Sequence, residues 1–365
     1  MINTLLIYFL SLQFLSKKEY TPFINAAFLT ALLFGVHPIQ TEAVTYISGR
    51  SISMMAMFYL GSILFYLKGV ETQRHLWTHV LSPLFFLLAV LTRETAVTVP
   101  VALLLWEMAD EEDKKLRQVL RRQAVHWILL AAILVALMTH IHYERLLEFS
   151  FTIRTIHENL LSQINGIPYL LSRLFALNGL NIDPDLPVVL NWTWVLGLKA
   201  FFLVNLFVLA FMNFRRNRWV FLGIAWFFLH LIPTNSVVPR LDIANERHLY
   251  LPVWGIFFII SISLEKLKMT FSRQKYSIDF VIITLVMIAG YFTLMRNHVY
   301  RSEVALWQDT VSKSYHKPRA HNNLGYAYEL EGRYEEAKKE YIKALRLKPD
   351  YDLARDNLIR VSAHG

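Results

Sequence analysis

Four short polar stretches bring carboxylate, arginine and histidine side chains to the ends of long apolar segments. The first runs from His37 to Arg50 and includes Glu42, and the second is the adjacent pair Arg93 and Glu94. An arginine presents a planar fork of donors to phosphate oxygens, and a carboxylate can take the proton of an attacking hydroxyl group. These stretches therefore predict a site for phosphate binding and proton transfer. Each also fits a plain helix end or ion pair at a membrane surface.

The third and fourth stretches are denser in charge. Asp183 and Asp185 flank a proline, and such a pair can hold a metal or share acid and base duties. The same pattern commonly forms a Pro-centred turn, which is the interpretation we favour. The fourth stretch carries five charged or titratable residues within nine positions, Arg240, Asp242, Glu246, Arg247 and His248. It fits a functional role and a structural role equally well.

The segments between these stretches are apolar enough to lie in a membrane. The 365 residues are 55% hydrophobic and only 18% charged, whereas soluble domains carry about 25% charged residues. We predict an all-α fold, a polytopic transmembrane bundle of about ten spans followed by a short helical tail. The spans are 1–15, 23–39, 52–67, 76–91, 96–108, 125–140, 194–212, 219–232, 249–263 and 279–295. Several are shorter than the ~20 residues that a crossing needs, so their ends must extend or the bilayer must thin.

The distribution of lysine and arginine predicts the orientation of the spans. The loops 16–22, 68–75, 109–124, 213–218 and 264–278 hold 16 positive residues, and the opposite loops up to residue 248 hold seven. Because positive loops stay in the cytoplasm, the N-terminus and the tail are expected in the lumen or periplasm. The net charge of +9 is explained in this way, and we expect no nucleic-acid partner.

Residues 160–177 are the most ambiguous apolar segment. Counting them as a crossing would move Arg215, Arg216 and Arg218, with the Lys-rich loop 264–278, to the outer side. We therefore predict a helix that lies at the outer interface or re-enters the membrane.

The charged tail carries a tetratricopeptide signature, whose repeat is about 34 residues long. The matching residues are Leu324, Gly325, Tyr328, Ala337, Tyr341, Ala344 and Pro349. The small residues allow two helices to cross closely, the larger ones fill the space between them, and the proline stops the second helix. We predict a membrane domain over 1–295, a connecting half repeat over 296–317, the repeat over 318–351 and a capping helix over 352–365.

About one and a half repeats are fewer than the ~3 that such arrays need to bury a continuous core. The tail therefore packs against the membrane domain, pairs with another chain, or is the remaining part of a longer array.

Several kinds of chemistry are disfavoured by the sequence. The chain has no cysteine, which excludes disulfides, thiol catalysis and cysteine metal sites. The span interiors lack the buried charge relay that pumps and ion-coupled transporters usually show, so a transporter is the weakest hypothesis. His126, His140 and His230 lie near span ends, and we interpret them as packing side chains.

Three runs and the tail together resemble a known family. The runs FGVHPIQTEAVTYISGRS, LTRETAVTVPVALLLWE and NERHLYLP, followed by the repeat, are similar to multi-span O-mannosyltransferase-like proteins with C-terminal tetratricopeptide repeats, which are GT-C class glycosyltransferases. The resemblance extends from about residue 20 to the end. It implies transfer of a sugar, typically mannose, from a polyprenyl- or dolichyl-phosphate donor to Ser or Thr of an acceptor protein. It also implies a multi-pass location in a bacterial inner membrane or the endoplasmic reticulum, among membrane lipids.

The resemblance also suggests roles for the residues at the span ends. Candidates to hold the leaving phosphate are His37, Arg50, Arg93, Arg240 and Arg247, and candidate catalytic carboxylates are Glu42, Glu94 and Glu246. Asp183 is a further candidate base. We assign no metal ligand, and a divalent metal remains open.

Proteins of this class keep an acidic motif, often a pair of Asp, in an outer loop that should precede the span at 1–15, yet the sequence opens with MINTLLIYFL. The chain is then a fragment, has lost its start, or works without the motif. The alternative function is a catalytically silent membrane scaffold whose tail recruits a protein partner.

Overall fold

The computed structural model describes residues 1–16, 21–109 and 115–363, and within them it is helical with no strand. The predicted all-α class is confirmed. The body contains α1 (Ile2–Leu15), α2 (Asn25–Val36), α3 (Thr41–Val44), α4 (Arg50–Glu71), α5 (Ser82–Thr92), α6 (Val99–Ala109), α7 (Leu116–Arg122), α8 (Ala124–Thr139), α9 (Ile141–Ile153), α10 (Ile156–Arg173), α11 (Trp194–Met212), α12 (Arg218–Leu231), α13 (Val253–Thr270) and α14 (Lys275–Val299). The tail contains α15 (Glu303–Lys313), α16 (Pro318–Leu330), α17 (Tyr334–Leu347) and α18 (Asp352–Ser362).

Fewer helices qualify as membrane spans than the sequence predicts. Three stretches in the described ranges are long and apolar enough to cross a membrane, Ile47–Glu71, Trp194–Met212 and Ser272–Val299. Counting two bent helix pairs as single spans raises the number to five. The predicted number of about ten is therefore not reached. Several expected spans are short helices, such as the 14 residues of α1, and at about 1.5 Å per residue these fall well short of the ~30 Å hydrocarbon core.

The interior of the bundle is formed by tightly packed helices rich in aromatic side chains. Trp226, Trp254 and Tyr59 are completely buried where α4, α12 and α13 meet. Two glycines let α12 and α13 approach closely, because a Cβ atom added to Gly255 would lie 2.1 Å from the carbonyl oxygen of Gly223. By contrast, α11 and α14 expose most of their apolar side chains, as expected for helices that face lipid.

The polar stretches gather at one end of the bundle. We call this end the mouth and define it by the turns Pro38–Gln40, Glu94–Thr98 and Glu246–Leu249 together with α3. The turn at Pro38–Gln40 and α3 contact the turn at Glu246–Leu249, and the turn at Glu94–Thr98 contacts α4 and α12. The C-terminal half of α14 reaches the same end, since Thr293 Oγ1 donates to the carbonyl of Val36 at 2.5 Å. Helix α10 packs beside the turn at Glu246–Leu249 and is not among the described helices apolar enough to span; its interfacial position stays a prediction.

The tail packs as its repeat signature predicts. Leu324, Tyr328, Ala337 and Tyr341 are buried between α16 and α17, which confirms their role in packing. Gly325 is needed for the close crossing, because a Cβ atom there would lie 2.7 Å from the ring of Tyr341. Helix α18 packs against α17 and contacts α16.

The tail is bound to the body by a cluster of ion pairs, which we call the tail clasp and define as Asp183, Asp242, Lys317 and Arg319. The buried carboxylate of Asp183 pairs with both Lys317 and Arg319, and Arg319 also pairs with Asp242. Burial alone would raise the pKa of Asp242, but the charges of Arg319 and Lys317 hold it below its usual value. Of the three expectations for the short tail, contact with the body is therefore observed.

Further hydrogen bonds extend the tail clasp along the chain. The Ser314 hydroxyl donates to the carbonyl of Asp183 at 2.8 Å and accepts from the amide of Asn181 at 2.7 Å. Lys313 donates to the carbonyl of Leu180 at 2.8 Å. Residues 180–184 are thus held between the tail and the mouth.

Candidate functional site

Arg247 is the central cation of the mouth. The side chain of Asn245 caps the turn, accepting a hydrogen bond from the Arg247 backbone N–H at 3.1 Å. Arg247 Nη1 lies 3.7 Å from Oε1 of the buried Glu42. The other carboxylate oxygen of Glu42 and the Nε of Arg247 have no hydrogen-bond partner in the part of the chain that is described. Buried polar atoms are normally paired, so these two atoms are exceptions among the described residues.

Arg93, Glu94 and Arg240 lie on the same side of the mouth. Arg240 Nη2 is 3.6 Å from Oε1 of Glu94, and Arg93 Nη1 donates to Ser51 Oγ at 3.1 Å. Arg93, Arg240 and Arg247 are close enough to influence one another electrostatically. The structure therefore brings three of the five predicted cations together. A concentration of positive charge beside a low-dielectric body favours an anion.

Glu246 is buried, and its hydrogen-bond partners are not these arginines. Its two oxygens accept hydrogen bonds from Tyr169 Oη at 3.1 Å and from the Asn181 backbone N–H at 2.9 Å. Burial raises the pKa of the Glu246 carboxyl to about 7, and the hydrogen bond from Asn181 and the attraction of Arg296 offset only part of that effect. Glu246 therefore connects the mouth to the segment held by the tail clasp.

A cleft opens between α4, α12 and the segment leading into α13. Its empty volume, counted out to its open end, is about 430 Å³. Arg93, Arg247, His230 and His248 supply most of its polar lining, and Met55 and Leu251 contribute apolar surface. We call this space the histidine cleft.

A larger, mostly apolar groove runs beside the histidine cleft. It measures about 1490 Å³ and is lined by side chains of α8 and α9, including Leu137, Met138 and Phe149. At one end, the lining becomes charged: Glu94, Arg240, Asp242, Arg247 and Arg319. Arg247 and His248 line both spaces, so groove and cleft meet there. We call this space the apolar groove.

Other predicted residues lie apart from both spaces. Both ring nitrogens of His37 are used within the protein, by the carbonyl of Leu174 at 3.0 Å and the backbone N–H of Ile39 at 3.2 Å. Arg50 is exposed at the start of α4. Neither side chain lines the cleft or the groove.

The paired aspartates are separated in the structure. Asp183 belongs to the tail clasp, while Asp185 is exposed. No group of three or more His, Asp or Glu side chains in the described ranges is arranged to hold a metal ion.

The sequence does not single out two residues that line these spaces. His230 packs against Trp226 and Tyr59, as expected of a packing side chain, and it also lines the histidine cleft. Arg319 lies in the tail and still reaches the apolar groove. Neither residue stands in a local pattern that predicts its position, because both spaces are assembled from distant parts of the chain.

Comparisons with known proteins match the repeat of the tail to a family model and most of the chain to curated relatives. Residues 318–351 match the family model described as a tetratricopeptide repeat. The chain is 25% identical to protein O-mannosyl-transferase F38B6.6 of Caenorhabditis elegans, over 96% of this chain and 50% of that protein. It is also 25% identical to protein O-mannosyl-transferase TMTC3 of Mus musculus (89% and 39%) and TMTC1 of Homo sapiens (98% and 46%). The chain thus spans half or less of the length of these curated relatives, and no solved structure matches it.

Proposed function

Because the chain is homologous to named protein O-mannosyl-transferases along most of its length, we propose that it is a glycosyltransferase of the membrane. It transfers a sugar, mannose by the names of the relatives, from a polyprenyl- or dolichyl-phosphate donor to Ser or Thr of a protein. The observation that carries the proposal is the apolar groove, which ends in a cluster of arginines.

The groove has the two chemical halves that a lipid-phosphate donor needs. Its apolar walls, from α8 and α9, suit a polyprenyl chain, since each Å² of apolar surface removed from water contributes about 25 cal/mol. Arg240 and Arg247 at its end suit the phosphate, which arginine binds through paired N–H donors. Glu42 supports this arrangement by holding Arg247 in place.

The reaction follows from these positions. The oxygen of the acceptor hydroxyl attacks the anomeric carbon of the sugar, and the bond from that carbon to the phosphate oxygen breaks. The lipid phosphate leaves as an anion that Arg240 and Arg247 stabilise. The hydroxyl proton passes to Glu94, the one of the three candidate carboxylates that lines the groove among the described residues.

The membrane arrangement is part of the same proposal. About ten segments enter the bilayer, the shorter helices being completed by their flanks or by local thinning. The mouth and the tail face the lumen of the endoplasmic reticulum or the bacterial periplasm, and the tail holds the acceptor protein. The contacts of the tail clasp support this by holding the tail at the mouth.

Activity of the purified chain tests the proposal. The protein in detergent or nanodiscs is mixed with polyprenyl-phosphate mannose and Ser/Thr peptides, and mannosyl-peptide is measured by mass spectrometry. We expect product with the wild type and a loss of at least about tenfold with Arg247→Gln, because a cation at the leaving group is removed. Arg145→Gln is the matched control, since Arg145 is exposed and lines neither space.

A catalytically silent scaffold is the second candidate. It is favoured by the positions of Glu42 and Glu246, which contact protein groups and line neither space. Absence of product under conditions in which a longer relative is active would support the scaffold. Equal activity of Arg247→Gln and wild type would contradict the assignment of the arginine cluster.

A further inference from the structure

The histidine cleft contains two imidazole rings that the proposed reaction does not use. His230 extends from the end of α12, and His248 belongs to the turn at Glu246–Leu249. His230 is 9% exposed and packs between the rings of Trp226 and Tyr59. Both histidines share the cleft with Arg93 and Arg247.

The hydrogen bonds of His230 determine its tautomer. Its Nδ1 lies 2.8 Å from the carbonyl oxygen of Trp226, which can only accept, so Nδ1 carries the hydrogen. In the neutral ring Nε2 is then an acceptor. This atom is buried and has no hydrogen-bond partner in the described ranges. A buried acceptor without a hydrogen-bond partner lowers the stability of the folded protein unless a ligand donates to it.

The tautomer of His248 follows from its neighbour Asn235. The amide nitrogen of Asn235 donates to Gln163 Oε1 and to the carbonyl of Ile243, both at 3.0 Å, so its oxygen faces His248. His248 Nδ1, 3.2 Å from that oxygen, must therefore donate, and Nε2 is an acceptor. Burial and the charges of Arg247, Arg240 and Arg93 hold the pKa of His248 well below its usual value, which keeps the ring neutral.

Two neutral acceptors beside two arginines match a group that is rich in hydroxyls and attached to a phosphate. We propose that the histidine cleft binds the sugar of the donor, with sugar hydroxyls donating to Nε2 of His230 and of His248. This assignment rests on the proposed function and gives the donor an orientation. The lipid lies in the apolar groove, the phosphate at Arg247 where the two spaces meet, and the sugar in the cleft.

The lining of the cleft agrees with this assignment. It combines apolar surface from Ile52 and Leu251 with a few polar groups, a pattern typical of small-molecule sites. A peptide side chain carrying a hydroxyl is the competing occupant, and the test below separates the two.

Asparagine substitutions keep the donors and move the remaining acceptor away from the position of Nε2, because the shorter amide does not reach it. Asn205 and Asn213 of this protein already donate to the carbonyl four residues earlier, at 2.7 and 2.8 Å, so His230→Asn can keep the bond to Trp226. An asparagine at 248 can likewise donate to Asn235. His248→Gln is the conservative counterpart, because its amide oxygen can take the place of Nε2.

Binding of two lipids to the full chain in nanodiscs tests the assignment. The probes are polyprenyl-phosphate mannose and polyprenyl phosphate without sugar. We expect His230→Asn and His248→Asn each to weaken binding of the first lipid about fivefold, as the loss of one neutral hydrogen bond does, and to leave binding of the second unchanged. His248→Gln should recover most of the affinity.

The remaining outcomes are distinct. Equal losses for both lipids, or no loss for either, would overturn the sugar assignment. Unchanged lipid binding with weakened binding of a Ser/Thr peptide would also overturn it and would identify the acceptor as the occupant. If wild-type protein binds neither lipid, the proposed function itself fails.

Discussion

Replacing Glu246 with glutamine should remove a pH dependence of stability. The carboxyl pKa is about 7 in the folded protein and 4.5 as an unperturbed side chain, and burial is the main cause. Between these values the folded protein holds a proton that the unfolded chain has already released. The free energy of unfolding therefore falls as the pH rises from about 4.5 to about 7, by about 3 kcal/mol in total.

Glutamine reproduces the protonated carboxyl group. Its oxygen can accept from the Asn181 N–H, and its amide can donate to the Tyr169 oxygen, so both contacts are kept with the direction of the second reversed. At pH 5, we expect the variant and the wild type to unfold at similar temperatures. At pH 8, the variant should be more stable by about 3 kcal/mol, because it carries no buried charge.

Thermal unfolding in detergent, followed by circular dichroism at several pH values, measures the difference. Glu148→Gln is the matched control, since Glu148 is exposed on α9 and its variant should follow the wild-type profile. Parallel pH profiles for wild type and Glu246→Gln would refute the reasoning and would show that ionisation of Glu246 does not lower the free energy of unfolding.

Two further predictions concern the packing of the molecule. Asp183→Asn should weaken the tail clasp by about 3 kcal/mol, because two cations lose their buried partner. Hydrogen exchange in the tail should accelerate in this variant. The exposed Asp185→Asn is the control and should have no effect. Gly255→Ala should destabilise the bundle by about 2 kcal/mol, because its Cβ would meet a backbone carbonyl. Gly290→Ala should not destabilise it, because nothing lies within 4 Å of the added Cβ. Equal melting temperatures for the two variants would contradict the close packing of α12 and α13.

The sequence predicts the parts of this molecule that depend on local pattern. The helical class follows from long apolar segments, and the burial of Leu324 and Tyr341 follows from the fixed spacing of the repeat. The sequence places Arg93, Arg240 and Arg247 in loops on one side of the predicted bundle, and the structure brings their side chains to the two spaces.

Other parts depend on contacts between distant residues. Lys317 and Arg319 meet Asp183 across more than 130 positions, and no local signal predicts such a pair. His230 becomes a cleft residue only because the segment before α13 folds back over α12. The predicted number of spans exceeds the number of helices that qualify, because hydropathy does not reveal that segments such as the 14 residues of α1 form helices too short to cross.

Arg319 of the tail supplies part of the wall of the apolar groove, and it does so while gripped by Asp183 and Asp242 of the body. The two halves of the chain are therefore not interchangeable modules. A chimaera that joins a foreign repeat array to this body, or this tail to another body, must include all four residues of the tail clasp. Otherwise the apolar groove loses the positive charge of Arg319.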